Sequence, residues 1–322
     1  MSKKPIIVLA GPTSVGKSKI ALYLARQLSA DIISADSRQV YRGMNIGTAK
    51  PAMEDMKEIR HHMVDIVNPD ERFSAGRYKD MVSSIISGMH EDGMMPLIVG
   101  GTGLYIKAVV YGLWEGPSAD WELRRRLKEE ELLHGDGYLY GRLSILDPDS
   151  ARDIHPKDIA KIIRALEVFY KTGRPLAQFH RLNPFSGDMY EPVMVGLRRG
   201  REDLYRRIGQ RVERMIEEGL IDEVRALLDK GYGEDLGAMK GLGYKQIVDY
   251  LEGRCTIDEA IGLIKRDTRR YAKRQFTWFN RDRSIRWIDI DEWEAESVTF
   301  EKTMELISGT VDTGYIKERS RS

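Results

Sequence analysis

Pro5-Ile-Ile-Val-Leu-Ala10, followed at once by Gly11-Pro-Thr-Ser-Val-Gly16-Lys17-Ser18, decides how the rest of the chain is read. A continuous apolar run bounded by glycine fits a strand covered on both faces, the habit of a parallel sheet. The eight residues after it match Gly-x-x-x-x-Gly-Lys-Ser, and Lys17 to Leu28 carries on with helical periodicity. In that context the glycines let the backbone curl so that successive N–H groups point inward, and the helix N-terminus adds partial positive charge. Gly11, Pro12, Thr13, Ser14, Val15, Gly16, Lys17 and Ser18 are therefore expected to hold a diphosphate or polyphosphate. Lys17 reaches its terminal phosphates, and the Ser18 hydroxyl is the candidate ligand for Mg²⁺.

Working outward, Asp31–Ser34 reads as a second short strand, Phe73–His90 as a helix, and Pro96–Val99 as a third strand closed by Gly100 and Gly101. Strand, helix and strand in alternation predict an α/β fold, a P-loop NTPase-like core with a parallel sheet flanked by helices. From about Gly116 the strands stop. Ala119–Leu133 and His155–Thr172 are charged and amphipathic, and only Pro192–Leu197 restores a strand. The expected organisation is a first part of the core at 1–115, an all-helical insertion domain at 116–190, and the core resumed at 191–322. Helical patterns dominate that last part, at Asp203–Gly219, Ile221–Lys230 and Thr256–Arg281.

The charge count, 51 Lys+Arg against 50 Asp+Glu, excludes a tail-driven nucleic-acid binder at the scale of the whole chain. It conceals a segregation. Lys265–Arg286 holds nine basic and two acidic side chains, whereas the stretch from 287 onward holds four and nine. One cysteine, Cys255, excludes an internal disulfide and fits a reducing compartment, so a cytoplasmic location is expected. No apolar run is long enough for a membrane span, and the first residues read as a buried strand, not as a signal peptide. His61-His62 is a weak metal-ligand set without a third partner.

The phosphate loop does not name the reaction. In a kinase or ATPase of this class an apolar strand ends in Asp, but Pro96–Val99 runs into Gly100-Gly-Thr102-Gly103. The nearest carboxylate at a strand end is Asp36, on the second strand, where a nucleophile meets the phosphates. A small-molecule P-loop kinase and a non-catalytic RNA binder remain alternatives at this point.

Several blocks in order resemble the tRNA dimethylallyltransferases. They are Gly11–Ser18, Asp36-Ser-Arg-Gln-Val-Tyr41, Gly43–Pro51, Gly100–Tyr105, Pro117-Ser-Ala-Asp120, His155-Pro-Lys-Asp158 with Arg164-Ala-Leu-Glu167, Gly241-Leu-Gly-Tyr244, and Tyr271-Ala-Lys-Arg-Gln275 with Thr277-Trp278-Phe279. The resemblance implies transfer of a dimethylallyl group from dimethylallyl diphosphate to N6 of the adenosine 3′ to the anticodon. A variant using free adenine nucleotides is the other prenyl reading. The implied catalytic residues are Asp36, Arg211, Lys17 and Thr13. The implied tRNA contacts are Asp36, Ser37, Arg38, Gln39 and Thr102, then Arg124, Lys161 and Arg164 in the insertion, and Gly241, Tyr244, Lys245, Arg269 and Lys273 beyond it. Lys161 stands where a common form of the family has arginine, so it keeps the cation and loses the planar fork. The implied partners are a tRNA anticodon loop, with its target base flipped out, and dimethylallyl diphosphate with Mg²⁺; no membrane is expected, and the protein is expected to act as a monomer.

Overall fold

The computed structural model describes residues 3–114, 116–182 and 190–310. Two compact units divide the chain, one formed by Met1–Val110 with Asp188–Ser322 and the other by Tyr111–Gly187.

The first unit is built on six strands: β1 (Lys4–Ala10), β2 (Ile32–Ala35), β3 (His61–His62), β4 (Leu97–Gly100), β5 (Tyr190–Arg199) and β6 (Arg286–Ile290). They pair in the order β3-β2-β4-β1-β5-β6, and every pairing is parallel. β1 lies between β4 and β5, which is why Ile6 to Leu9 are all apolar and at most 1% exposed. Parallel strands share an edge, so the loops after β1, β2 and β4 open together, where ligands bind in open α/β sheets. β2 and β4 converge closely at that edge. A Cβ on Gly100 would fall 2.2 Å from the Ala35 carbonyl oxygen.

Two strands escaped the sequence reading. β6 is an edge strand, Arg-Trp-Ile-Asp-Ile, whose outward charges merge with the acidic stretch after it. β3 is the His61-His62 pair itself. His62 Nε2 bonds Asp31 at 2.9 Å and His61 Nδ1 bonds the Ile59 carbonyl oxygen at 2.8 Å, so neither points toward a shared ligand. Long helices follow at Arg201–Glu217, Leu220–Asp229 and Ile257–Phe279, the last opened by a capping box of Thr256 and Glu259.

The second unit is helical in its described residues: Trp121–His134, Tyr138–Leu146, Pro148–Asp153, Ile159–Thr172 and Leu176–Leu182. Leu127, Leu139, Leu143, Ile162 and Leu166 form its core. Within it the carboxylate of Glu167, fully buried, accepts two bonds from Arg124 at 2.8 Å, the Asp120 N–H at 2.6 Å and a bond from Arg164. Burial opposes that charge but the two arginines outweigh it, and the Glu167 carboxyl is held below its usual range. No helix among the described residues is long and apolar enough to cross a membrane.

Candidate functional site

The phosphate loop needs glycine at two places. Gly11 has φ +150°, and a Cβ there would sit 2.7 Å from the Leu197 carbonyl oxygen; Gly16, with φ +115°, caps the Lys17–Leu28 helix. Three arginines grip the loop from the β5 side. Arg199 Nε donates to the Val15 carbonyl oxygen at 2.9 Å, Arg207 Nε to that of Ser14 at 3.0 Å, and Arg211 Nη1 to Thr13 Oγ1 at 3.0 Å. With carbonyls bound outward, the opposite side of the loop presents N–H groups. Lys17 Nζ donates to the carbonyl oxygens of Gly11 at 2.9 Å and Pro12 at 2.8 Å. Burial pushes Lys17 down to about 7; Asp36 opposes the shift and Arg211 adds to it. Burial also holds the Arg211 guanidinium below its ordinary value, again against the pull of Asp36. The Ser14 hydroxyl is buried without a hydrogen-bond partner, a polar atom left for a ligand.

Facing this cradle is the loop after β2. Asp36 Oδ1 accepts the Arg38 N–H at 2.8 Å, which fixes the carboxylate's orientation. Thr102 Oγ1 accepts the Ser37 N–H at 3.0 Å, and the Thr102 N–H reaches the Ala35 carbonyl oxygen at 3.0 Å. Gln39 is pinned by Ser34 at 2.8 Å and by the Ala49 carbonyl oxygen at 3.0 Å. Arg38 donates to the Gly237 carbonyl oxygen at 2.8 Å.

One face of the Ile257–Phe279 helix closes over these loops. Tyr271 hydrogen-bonds Thr102, and burial pushes its phenol up to about 12. Gln275, one turn on, accepts the Thr13 N–H and donates to the Gly101 carbonyl oxygen, both at 2.9 Å. Trp278 lies against Gly103, where a Cβ would meet its ring at 2.1 Å. A second support comes from Glu223. Its carboxylate accepts the N–H groups of Asn45 and Ile46 at 2.8 Å and Gly47 at 3.2 Å, plus the Tyr244 hydroxyl at 2.6 Å. That braced loop carries Thr48, whose carbonyl oxygen takes the other arm of Arg211 at 3.5 Å.

The structure therefore brings Gly11–Ser18, Asp36, Thr102 and Arg211 to one cleft. Other expected contacts lie elsewhere. Tyr244 is 1% exposed and tied to Glu223, and Gly241 is buried, so of these three expected contacts Lys245 alone is exposed. Burial of the Tyr244 phenol, reinforced by Glu223, pushes its pKa far up and keeps it a donor. Arg269 does not face the cleft. It packs over the Tyr205 ring at 5.2 Å, in an open groove with Glu202 and Glu213. Lys273 is exposed, and the cation beside the cleft face is Arg274, 5.8 Å above the Tyr271 ring. In the second unit, Arg124 and Arg164 hold Glu167, and Lys161 is exposed beside Asp158. Sequence reasoning missed the roles of Gln275, Glu223, Arg199 and Arg207. For Gln275 a signal existed: a polar residue in the stripe Ala260, Ile264, Ala272, Phe279 that an amphipathic helix buries.

Comparison with known proteins identifies the family. A family model described as IPP transferase matches residues 39–282. The tRNA dimethylallyltransferase 2 of Geotalea uraniireducens is 48% identical over 290 residues, which are 90% of this chain and 94% of that protein. The tRNA dimethylallyltransferase of Geobacter sulfurreducens is 46% identical over 288 residues, 89% and 93% of the two chains. The crystal structure of the full-length tRNA isopentenylpyrophosphate transferase of Bacillus halodurans superposes with a TM-score of 0.71 at 39% identity, over 99% of this chain and 98% of that one. A eukaryotic dimethylallyltransferase solved acting on tRNA reaches 0.81 at 25% identity, over 96% and 80%.

Proposed function

This chain belongs to the IPP transferase family, and from that premise we propose that it transfers the dimethylallyl group of dimethylallyl diphosphate to N6 of the adenosine 3′ to the anticodon in tRNA. The observation that carries the reading is a single carboxylate, Asp36, close enough to a phosphate cradle to act on both Lys17 and Arg211. A kinase also sets a carboxylate beside its acceptor, so it is the family match that separates the two readings, and Asp36 then serves as the base for an amine nucleophile.

The exocyclic amine of adenine is a weak nucleophile. Asp36, with Oδ1 tied to the Arg38 N–H, keeps Oδ2 for that amine, orients it and takes its proton as the C–N bond forms. The bond from the allylic C1 to the diphosphate oxygen breaks, and the diphosphate leaves with the electron pair. Charge gathers on its oxygens, where Lys17, Arg211, the Thr13 hydroxyl and the loop N–H groups lie preorganised. Mg²⁺ fits here as a partner of the diphosphate. The available donors are hard oxygens, chiefly the exposed Ser18 hydroxyl at a helix N-terminus, and no cluster of three His, Cys, Asp or Glu stands among the described residues to bind the ion alone. When bound it would neutralise diphosphate charge.

The tRNA is met by Ser37, Arg38, Gln39 and Thr102 around the flipped base, and by exposed cations: Lys245, Arg270, Lys273 and Arg274 in the first unit, Lys161 in the second. The partly exposed Arg124 and Arg164 add to the second set. The protein acts as a cytoplasmic monomer in this reading. The test is incubation with labelled dimethylallyl diphosphate, Mg²⁺ and either unmodified tRNA or AMP. Label enters tRNA; label in AMP alone would refute the proposal.

A further inference from the structure

Gln275 is buried, 7% exposed, and sits on a helix whose exposed sides are cationic. Its amide touches the backbone of two different loops: the phosphate loop at the Thr13 N–H and the loop after β4 at the Gly101 carbonyl oxygen. The two loops are themselves in contact, with the Gly11 carbonyl oxygen 3.3 Å from where a Gly101 Cβ would stand. Only one amide orientation satisfies both bonds, because turning it over would set NH₂ against N–H and carbonyl against carbonyl. Gly101 also has to be glycine for this, since a Cβ there would lie 2.2 Å from Gln275 Nε2.

Each bonded loop carries a different substrate in the proposed reaction. Thr13, held at its N–H by Gln275, is held at its hydroxyl by Arg211, so that hydroxyl keeps its own proton for the diphosphate. Gly101 precedes Thr102, which positions the Asp36–Ser37 turn where the adenine amine arrives. We propose that Gln275 is a positioning residue of the transfer reaction: its side-chain amide bolts the loop that holds the prenyl diphosphate to the loop that holds the acceptor base, and so sets the gap across which the prenyl carbon moves. The inference rests on reading this cleft as a prenyl-transfer site.

The full chain with two substitutions tests it. Gln275→Leu removes both bonds and leaves two buried backbone groups unpaired; the single-turnover rate at saturating tRNA and dimethylallyl diphosphate should fall about a hundredfold. The Kd for tRNA should stay within about threefold, since the exposed cations are untouched. Gln275→Glu is the control for folding. Ionised, it keeps the Thr13 bond but opposes the Gly101 carbonyl; protonated, it offers an O–H donor and a carbonyl acceptor in the same shape. Its rate relative to the unmodified protein should climb as pH falls. A parallel pH profile for the Glu variant, or a loss for the Leu variant that appears wholly in tRNA affinity, would overturn the proposal. Should the unmodified protein prenylate no tRNA, the functional reading fails instead, and binding of inorganic diphosphate decides this one. Gln275→Leu then weakens it about tenfold or more, and unchanged affinity refutes the bolt.

Discussion

Glu223 is remote from any reacting atom, yet the structure makes it a large lever. Its carboxylate takes three consecutive backbone N–H groups, at 2.8, 2.8 and 3.2 Å, and the hydroxyl of the buried Tyr244 at 2.6 Å. Glu223→Ala strands the Tyr244 hydroxyl, at about 1–3 kcal/mol, and removes charge-assisted bonds worth about 1.5–3 kcal/mol each in isolation. Asn45 is exposed and regains water, and such terms do not add, so the total should be about 3–5 kcal/mol. Glu223→Gln keeps the shape but turns a donor toward donors, and should cost about 1–2 kcal/mol. Native-state hydrogen exchange reads this locally. Amide protons of Asn45, Ile46 and Gly47 should exchange about tenfold faster in the Gln variant and about a hundredfold or more in the Ala variant. Because Thr48 follows this loop and takes one arm of Arg211, kcat should fall in the same order. Unchanged protection of those three amides in Glu223→Ala would refute the idea that the carboxylate holds the loop.

Asp36→Asn should abolish turnover, with tRNA binding measured by filter retention left within about threefold; retention of most activity would remove Asp36 as the base. Burial pushes Lys17 down to about 7, so above that value it loses the charge that diphosphate needs. The Kd for diphosphate should rise by up to about tenfold per pH unit between about pH 7.5 and about pH 9.5, with proton uptake visible by calorimetry in paired buffers. Arg211→Lys cannot reach both Thr13 and Thr48 from one ammonium, and kcat/KM should drop about a hundredfold. Arg270→Ala with Arg274→Ala should lower the dependence of log K for tRNA on log salt by about 1.4, whereas Arg269→Ala should mainly lower stability through its lost packing on Tyr205.

Much of this site could be read before any coordinates. Gly11–Ser18 is legible because a phosphate loop is local: the glycines, the lysine and the helix start are contiguous in the chain. Asp36 was found by position, as a carboxylate at the end of an apolar strand. What stayed hidden depends on pairs distant in sequence. Nothing near Glu223 says that its carboxylate meets the amides of Asn45–Gly47. Tyr244 is a tRNA contact only by resemblance, and its ring fills the space that the missing side chain of Gly47 leaves. The basic stretch misled in detail for a related reason. Eight of its nine cations lie along one helix and the turn after it, but a helix distributes them around its axis, and Arg269 packs on Tyr205 while Arg274 lies by the cleft. Edge strand β6 was masked because its alternation covers only Arg286–Ile290.

The contact between Gly100 and Ala35 bears on protein engineering. At that point β2 and β4 are kept apart by bare main chain, with a carbonyl oxygen 2.2 Å from where any side chain at 100 would begin. The spacing between the acidic turn after β2 and the Gly101–Gly103 turn after β4 is thus fixed by atoms that every amino acid shares. Libraries meant to admit longer allylic donors should vary the side chains lining the cleft and leave position 100 alone, because there even alanine changes the ruler and not just the wall.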